Sequence, residues 1–424
     1  MSEHLTVVYD AAEVVVGPNE SESANGALET REDAAIAAID GDVVTVGDSD
    51  AVTREYPREN ADTAVDAGGQ TVIPGFVDPH THAVFAGDRS DEFAAKLRGK
   101  TYQEILAAGG GILRTVEAVR DASTEELAAN LEAQLDLMLS HGTTTAEVKT
   151  GYGLDVDTER RLLDAIERAG TNHPVDVVGT FMGAHAVPDG QDTEDYVNEV
   201  VYEQLPVAAN HPAAEFCDVF CEEGVFSVEQ SRRVLEAGRE HGLKPKIHAE
   251  EFTRLGGAQL AADLEAVSAD HLLHADEDDA EALAEAGVVP VLLPGTAFSL
   301  GEDYADPEQF RAAGDDRSRS PVALATDLNP NCYSQSMGFA VALACNGMRM
   351  APGDALVGAT RDAALALDRD DGTGTLREGT AADVAVVDGP SHVHIPYNFG
   401  VNCVDTVLKD GVVVADDGRV VGRE

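Results

Sequence analysis

Apolar positions along the chain follow two rhythms. Between residues 72 and 326, short β-branched runs alternate with stretches in which leucine and alanine recur every three or four positions. The segment DASTEELAANLEAQLDLMLSHGTTTAEVKTG shows the unit. Ser123 stands as an N-cap, and Glu126 follows where a capping box needs it. Leu127, Leu131 and Leu135 recur on one helical face, and His141-Gly142 closes the helix. The β-branched run TTTAEV then reads as a strand. The pattern returns with TERRLLDAIERAG before VDVVGTFM, SVEQSRRVLEAGREHG before KPKIHAE, GAQLAADLEA before VSADHLL, EDDAEALAEAG before VVPVLLPG, and a helix over 307–313 before SPVALATD. With TVIPGFVDPH and EFCDVFC added, eight candidate strands result. Alternating strands and helices imply an α/β fold with a parallel sheet, and about eight repeats imply a (β/α)8 TIM-like barrel. A doubly wound open sheet would normally stop at fewer strands.

The two ends keep a different rhythm. LTVVYDAAEVVVG and AAIAAIDGDVVTVGD near the start, and ADVAVVDG and DTVLKDGVVVADDGRVVG near the end, alternate apolar and polar residues around Asp-Gly turns. These are hairpin signals. Residues 1–70 and 378–424 are therefore expected to form one small composite β-sandwich domain beside a barrel spanning 71–377.

Composition narrows the function classes. Acidic residues number 78 against 29 basic ones, a net charge of -49. Phosphates would be repelled, so a nucleic-acid partner is not expected. The acids are dispersed through periodic apolar sequence, which describes a folded chain with a salt-adapted surface rather than a disordered one. No apolar run reaches the length of a membrane span, about eighteen residues or more. The N-terminus shows no signal-peptide pattern, and five cysteines give no disulfide framework, so a cytoplasmic protein is expected. Cys217 and Cys221 read as small buried apolar residues.

Chemistry concentrates where apolar strands end. In VIPGFVDPHTH, His80 and His82 lie two apart and project to the same side of an extended chain. His248 ends KPKIHAE, His271 ends VSADH, and Asp327 ends VALATD. Strand C-termini converge at the mouth of such barrels, so these groups would meet there. Three imidazoles and a carboxylate with one open position make a catalytic zinc or non-haem iron set. Such an ion lowers the pKa of water toward about 7, and the resulting hydroxide needs a proton acceptor. Glu251, three residues after His248, is positioned for that role, whereas Glu250 is expected to make a structural contact. His271 could be a further ligand or polarise a substrate carbonyl, and the second role suits a site with one metal. Lys149, two after Glu147, is open to two readings: a carbamylated lysine bridging two metals, or a buried lysine paired with Glu147. The glycines at 109–111 match neither a P-loop nor a dinucleotide fingerprint and read as a loop over the barrel mouth.

The His-x-His pair, the later single histidines, the final aspartate and the terminal β segments resemble the amidohydrolase superfamily. PGFVDPHTHAVFAGDRSDEFAAKLRGKTYQEI, GGGILRTV, EVKTGYGLD, FMGAHAVP, KIHAEEF, SADHL and ATDLNPN further resemble its imidazolonepropionase family over nearly the whole chain. The resemblance implies hydrolytic opening of the ring of 4-imidazolone-5-propanoate to N-formimidoyl-L-glutamate, a step of histidine degradation. It implies one Zn2+ or Fe3+ per chain, held by His80, His82, His248 and Asp327. It also implies substrate contacts from Arg89, Tyr152 and His185, with Glu251 over the reacting carbon and Asn329, Asn331 and Cys332 at the far end. Where the family commonly reads Gly-Ser, this chain has Asn331-Cys332, so backbone contacts would survive there but a serine hydroxyl contact would not. Arg89 offers a charged fork for the propanoate or, alternatively, a surface ion pair with Asp88 or Asp91. Tyr102 and Tyr152 offer hydroxyls and ring faces for a flat heterocycle. The catalytic pair would be Glu251 and His271. A deaminase of the same superfamily, or a two-metal hydantoinase-like cyclic amidase using Lys149, would share most of these residues. The expected partners are a small substrate carrying a carboxylate and a second copy of the chain in a homodimer, without a membrane.

Overall fold

The computed structural model describes residues 3–19, 28–100, 104, 110–313 and 320–422. Five strands come first: β1 (Leu5–Pro18), β2 (Leu28–Ile39), β3 (Asp42–Asp48), β4 (Thr63–Asp66) and β5 (Thr71–Pro74). Eight follow with helices between them: β6 (Phe76–Asp78), β7 (Thr143–Lys149), β8 (Asp176–Ala184), β9 (Ala214–Cys221), β10 (Lys244–Ala249), β11 (Ser268–His271), β12 (Val289–Leu292) and β13 (Ala323–Leu324). Four more close the chain: β14 (Val384–Val387), β15 (Val404–Lys409), β16 (Val412–Asp416) and β17 (Arg419–Val420).

The middle eight strands form one sheet in chain order, every neighbour parallel, as the strand-helix alternation requires. The sheet curls until its first and last members meet. Asp327 N donates to His80 O at 3.1 Å, and His82 N donates to Leu328 O at 2.8 Å. These bonds lie just past the ends of β6 and β13, so the barrel seam is made at the histidine pair itself. The helix Thr124–Ser140 carries the expected capping box between Ser123 and Glu126, and Leu127, Leu131 and Leu135 are wholly buried against the barrel. Among the described residues, no helix is long and apolar enough to cross a membrane.

A second, mixed sheet of nine strands draws on both ends of the chain. β5 pairs parallel with β1 and antiparallel with β14. The Asp-Gly turns act as expected. Asp40 and Gly41 have φ of 52° and 93°, Asp410 and Gly411 of 49° and 74°, and left-handed pairs of this kind match the twist of a tight hairpin.

One expectation needs correction. TVIPGFVDPH reads as a single strand, yet it is two strands in two sheets. Gly75 separates them, donating its N–H to Asp383 O at 2.9 Å. A Cβ at Gly75 would lie 2.9 Å from Thr144 Cβ and nearer still to the rest of that side chain, so any other residue at the crossing would force Thr144 to shift. Pro79, which has no N–H to give a ladder, follows the end of β6.

Candidate active site

The strand ends of the barrel bring together the histidines read from the sequence. His80, His82, His248, His271 and Asp327 are all nearly or wholly buried. His80 Nε2 lies 3.5 Å from Asp327 Oδ1, His82 Nε2 lies 3.9 Å from the same oxygen, and His82 and His248 face each other through Nε2 atoms 3.3 Å apart. The histidines depend on loops that are themselves strained. His271 has φ of 78°, Asp327 of 52° and Glu250 of 55°, left-handed values that cost a non-glycine residue free energy. The Glu250 carboxylate accepts from the backbone of Leu255, Gly256 and Ala258 at 2.6, 2.9 and 3.1 Å, so it builds the turn, as expected, and leaves Glu251 to the site.

Two carboxylates stand behind two of the rings. Asp270 Oδ2 lies 2.6 Å from His80 Nδ1, and Asp218 Oδ1 lies 3.1 Å from His248 Nδ1. An Nδ1–H donated to a carboxylate leaves the lone pair on Nε2, turned toward Asp327 and the other rings. Burial, the largest cause, pushes the pKa of His80, His82 and His271 well below the ordinary value, so these rings are neutral. His80 Nε2 is buried and has no hydrogen-bond partner. The ligand atoms of His80, His82 and Asp327 lie within 4.8 Å of one another, as do those of His80, His248 and His271. Imidazole nitrogens converging beside a carboxylate form a donor set that fits a metal ion.

Neither Asp218 nor Asp270 is among the residues expected from the sequence. Their signal is a carboxylate inside an apolar strand, in EFCDVFC and VSADH, where the cysteines and His271 draw attention instead. Between them lies Lys149 Nζ, 2.7 Å from Asp218 Oδ2, 2.8 Å from Glu147 Oε2 and 3.5 Å from Asp270 Oδ2. Burial works against the ammonium, but the three carboxylates more than offset it and hold the amine above its usual pKa. Carbamylation needs a neutral amine. Of the two readings of Lys149, the geometry supports the buried ion pair. Cys217 and Cys221 are buried thiols raised in pKa by that burial, in keeping with packing roles.

The remaining candidates ring this centre. Glu251 Oε2 lies 3.7 Å from His271 Nε2, and burial, then Asp327 and Glu222, raises its carboxyl well above the ordinary value. The His185 ring stacks on His82 with centroids 4.7 Å apart and planes 16° apart; burial lowers its pKa to about 3. The buried Tyr152 ring is 5.8 Å from His82. Arg89 pairs with neither Asp88 nor Asp91. Its Nε and Nη2 both reach Glu92 Oε2 at 2.9 Å, while Asp91 takes Arg114 at 2.7 Å. The Asn329 side chain serves its own loop: Oδ1 accepts from the backbone of Asn331 and Cys332 at 2.7 and 2.9 Å, and Nδ2 donates to Asp327 O at 2.8 Å. Asn331 is exposed, and Cys332 is tucked beneath the loop with Sγ 3.6 Å from Thr326 O. Tyr102 and Gly109 lie outside the described residues.

A profile of the amidohydrolase family matches residues 71–414. The imidazolonepropionase of Halobacterium salinarum is 69% identical over 420 residues, covering 99% of this chain and 100% of that protein. This chain belongs to the imidazolonepropionase family. The family members of Haloarcula marismortui, at 64% identity with 96% of each chain covered, and of Alkaliphilus oremlandii, at 45% with 91% of each, extend the likeness. The barrel with its second sheet is also the fold of atrazine chlorohydrolase from Arthrobacter aurescens, at a TM-score of 0.73 and 18% identity over 99% of this chain and 97% of that one. The chain is an amidohydrolase-family enzyme, and its buried histidines and Asp327 are candidate ligands for a metal cofactor.

Proposed function

We propose that this imidazolonepropionase-family enzyme opens the ring of 4-imidazolone-5-propanoate hydrolytically, with His80, His82, His248 and Asp327 holding one Zn2+ or Fe3+. The observation that carries the reading is the Glu251–His271 pair, 3.7 Å apart and buried beside those four side chains. Ring opening needs a water made nucleophilic, a group to move its proton, and a donor for the carbonyl oxygen that gains charge. An ion in this donor set would supply Lewis acidity and lower the pKa of water toward about 7. Glu251 takes the proton from the attacking water and returns it to the leaving ring nitrogen. Burial, Asp327 and Glu222 raise its pKa, which favours uptake of the proton from water. His271, a neutral ring, donates to the carbonyl oxygen as that oxygen becomes anionic. His185 and Tyr152 flank the heterocycle, and Arg89, held in place by Glu92, receives the propanoate. At the far end the carbonyl groups of the 329–331 backbone are left to accept from the substrate, since the Asn329 side chain and the N–H groups of Asn329, Asn331 and Cys332 are bonded within the loop.

The test is to add imidazolone propanoate, follow loss of its ultraviolet absorbance, and measure metal in the same sample. Loss of absorbance with N-formimidoyl-glutamate formed and about one metal per chain is the expected result. Ammonia release without ring opening would instead favour a deaminase. A reducing compartment suits the five free cysteines. A homodimer would find a contact surface in the run Val393, Tyr397, Phe399 and Val401, which are 44%, 77%, 63% and 69% exposed. Sedimentation of wild type against Tyr397→Ser would test that pairing.

A further inference from the structure

The two carboxylates behind the histidines both lie within ion-pair distance of one ammonium, that of Lys149. His80 follows β6, His248 lies on β10, and the carboxylates behind them come from β11 and β9. Lys149, on β7, touches both carboxylates. No part of Lys149 is exposed. Each aspartate therefore divides its charge between an imidazole in front and the same ammonium behind. Two carboxylates this close in a dry interior repel each other strongly unless a cation lies between them. Without it they would move apart, and each ring would lose the partner that fixes its orientation. A metal-binding imidazole depends on that partner for both its direction and its basicity.

We infer that Lys149 is a positioning residue: through Asp218 and Asp270 together it sets the orientation of His248 and His80, and so the affinity of the metal site. This rests on the reading of His80, His82, His248 and Asp327 as ligands. Lys246 also attracts the Asp270 carboxylate through space, but its ammonium is bonded to Glu147 Oε2 and the Pro79 carbonyl, each at 2.9 Å, so Lys149 alone of the two lies within ion-pair distance of Asp218 and Asp270 together.

The experiment uses Co2+ as probe, bound to the full-length protein after its native metal has been removed. A competing chelator gives affinity, and the visible d–d bands report ligand geometry. Wild type should take up one Co2+. Lys149→Met should remain folded by circular dichroism, bind Co2+ about 10- to 100-fold more weakly, and show displaced bands. Lys149→Arg, which keeps the cation, should recover part of the affinity. In an Asp218→Asn/Asp270→Asn background the Lys149→Met change should have little further effect, because the residues it acts through are gone. A folded Lys149→Met protein with wild-type affinity and an unchanged spectrum would overturn the inference while leaving the metal site intact. Wild type that binds no Co2+ would overturn the metal site, and this inference with it. If Lys149→Met does not fold, the charge-balanced Lys149→Met/Glu147→Gln protein is measured in its place and decides by the same outcomes.

Discussion

In the proposed reaction Glu251 and His271 would do different work although they are 3.7 Å apart, because burial moves their pKa values in opposite directions. Glu251→Gln keeps the shape but cannot carry a proton. Turnover of imidazolone propanoate should fall about 10²- to 10⁴-fold with metal content unchanged, and wild-type-like turnover would reject the role. Asp327 supplies the pH dependence. Burial raises its carboxyl to about 6, so below that pH a proton occupies the oxygen a metal needs. Metal affinity of the stripped protein should therefore fall, by up to tenfold per pH unit, as pH drops below about 6. Above that pH it should change little through this group. Chelator competition from pH 5 to about 8 would show the bend, and a flat profile would count against Asp327 as a ligand. The candidate residues His80, His82, His248, His271 and Asp327 are legible in the sequence because each lies at or just past the end of an apolar strand. Asp218 and Asp270 are not, because their work is done through a histidine on another strand, and no local pattern records which carboxylate stands behind which ring.

At the scale of elements, the strand-helix order is open to a reader of the sequence, since several helices carry their own cap, as at Ser123, Asp155, Ser227 and Asp276, and the strands are marked by apolar runs. All eight expected barrel strands are present. What the sequence conceals is a strand shared between sheets. Residues 71–78 hold one continuous apolar pattern, and only the packing of Thr144 against Gly75 divides it. Gly75→Ala adds one methyl group where Thr144, almost wholly buried, already stands. The expected cost is about 1–3 kcal/mol of stability, measured as a lower urea midpoint at unchanged slope. A midpoint equal to that of wild type would mean Thr144 moves aside freely. Arg89 shows the same limit at shorter range. Three acidic residues follow or precede it within three positions, and side-chain reach on the helix, not sequence proximity, selects Glu92.

The whole molecule is governed by its charge. A net charge of -49 sits on a fold whose interior nonetheless spends two lysines, Lys149 and Lys246, on buried carboxylates. Surface repulsion is screened by salt, whereas the buried pairs are not. The Tm should climb from about 0.1 M to about 1 M KCl, where the Debye length shrinks to about 3 Å. A Tm indifferent to KCl would show that the acidic surface is not self-repelling. The metal-site geometry, probed by the Co2+ spectrum, should stay constant over the same range.

The seam between β6 and β13 has a consequence in time. Its hydrogen bonds join residues 80–82 to 327–328, so the two sides of the donor set belong to opposite ends of the barrel sequence. Contacts of such long separation form late, after shorter loops have closed. A chain still emerging from the ribosome therefore holds His80 and His82 without Asp327, a pair of imidazoles with no carboxylate to complete them. With His80, His82 and Asp327 as ligands, metal loading would wait for ring closure, and the ion would enter a finished barrel rather than template its folding.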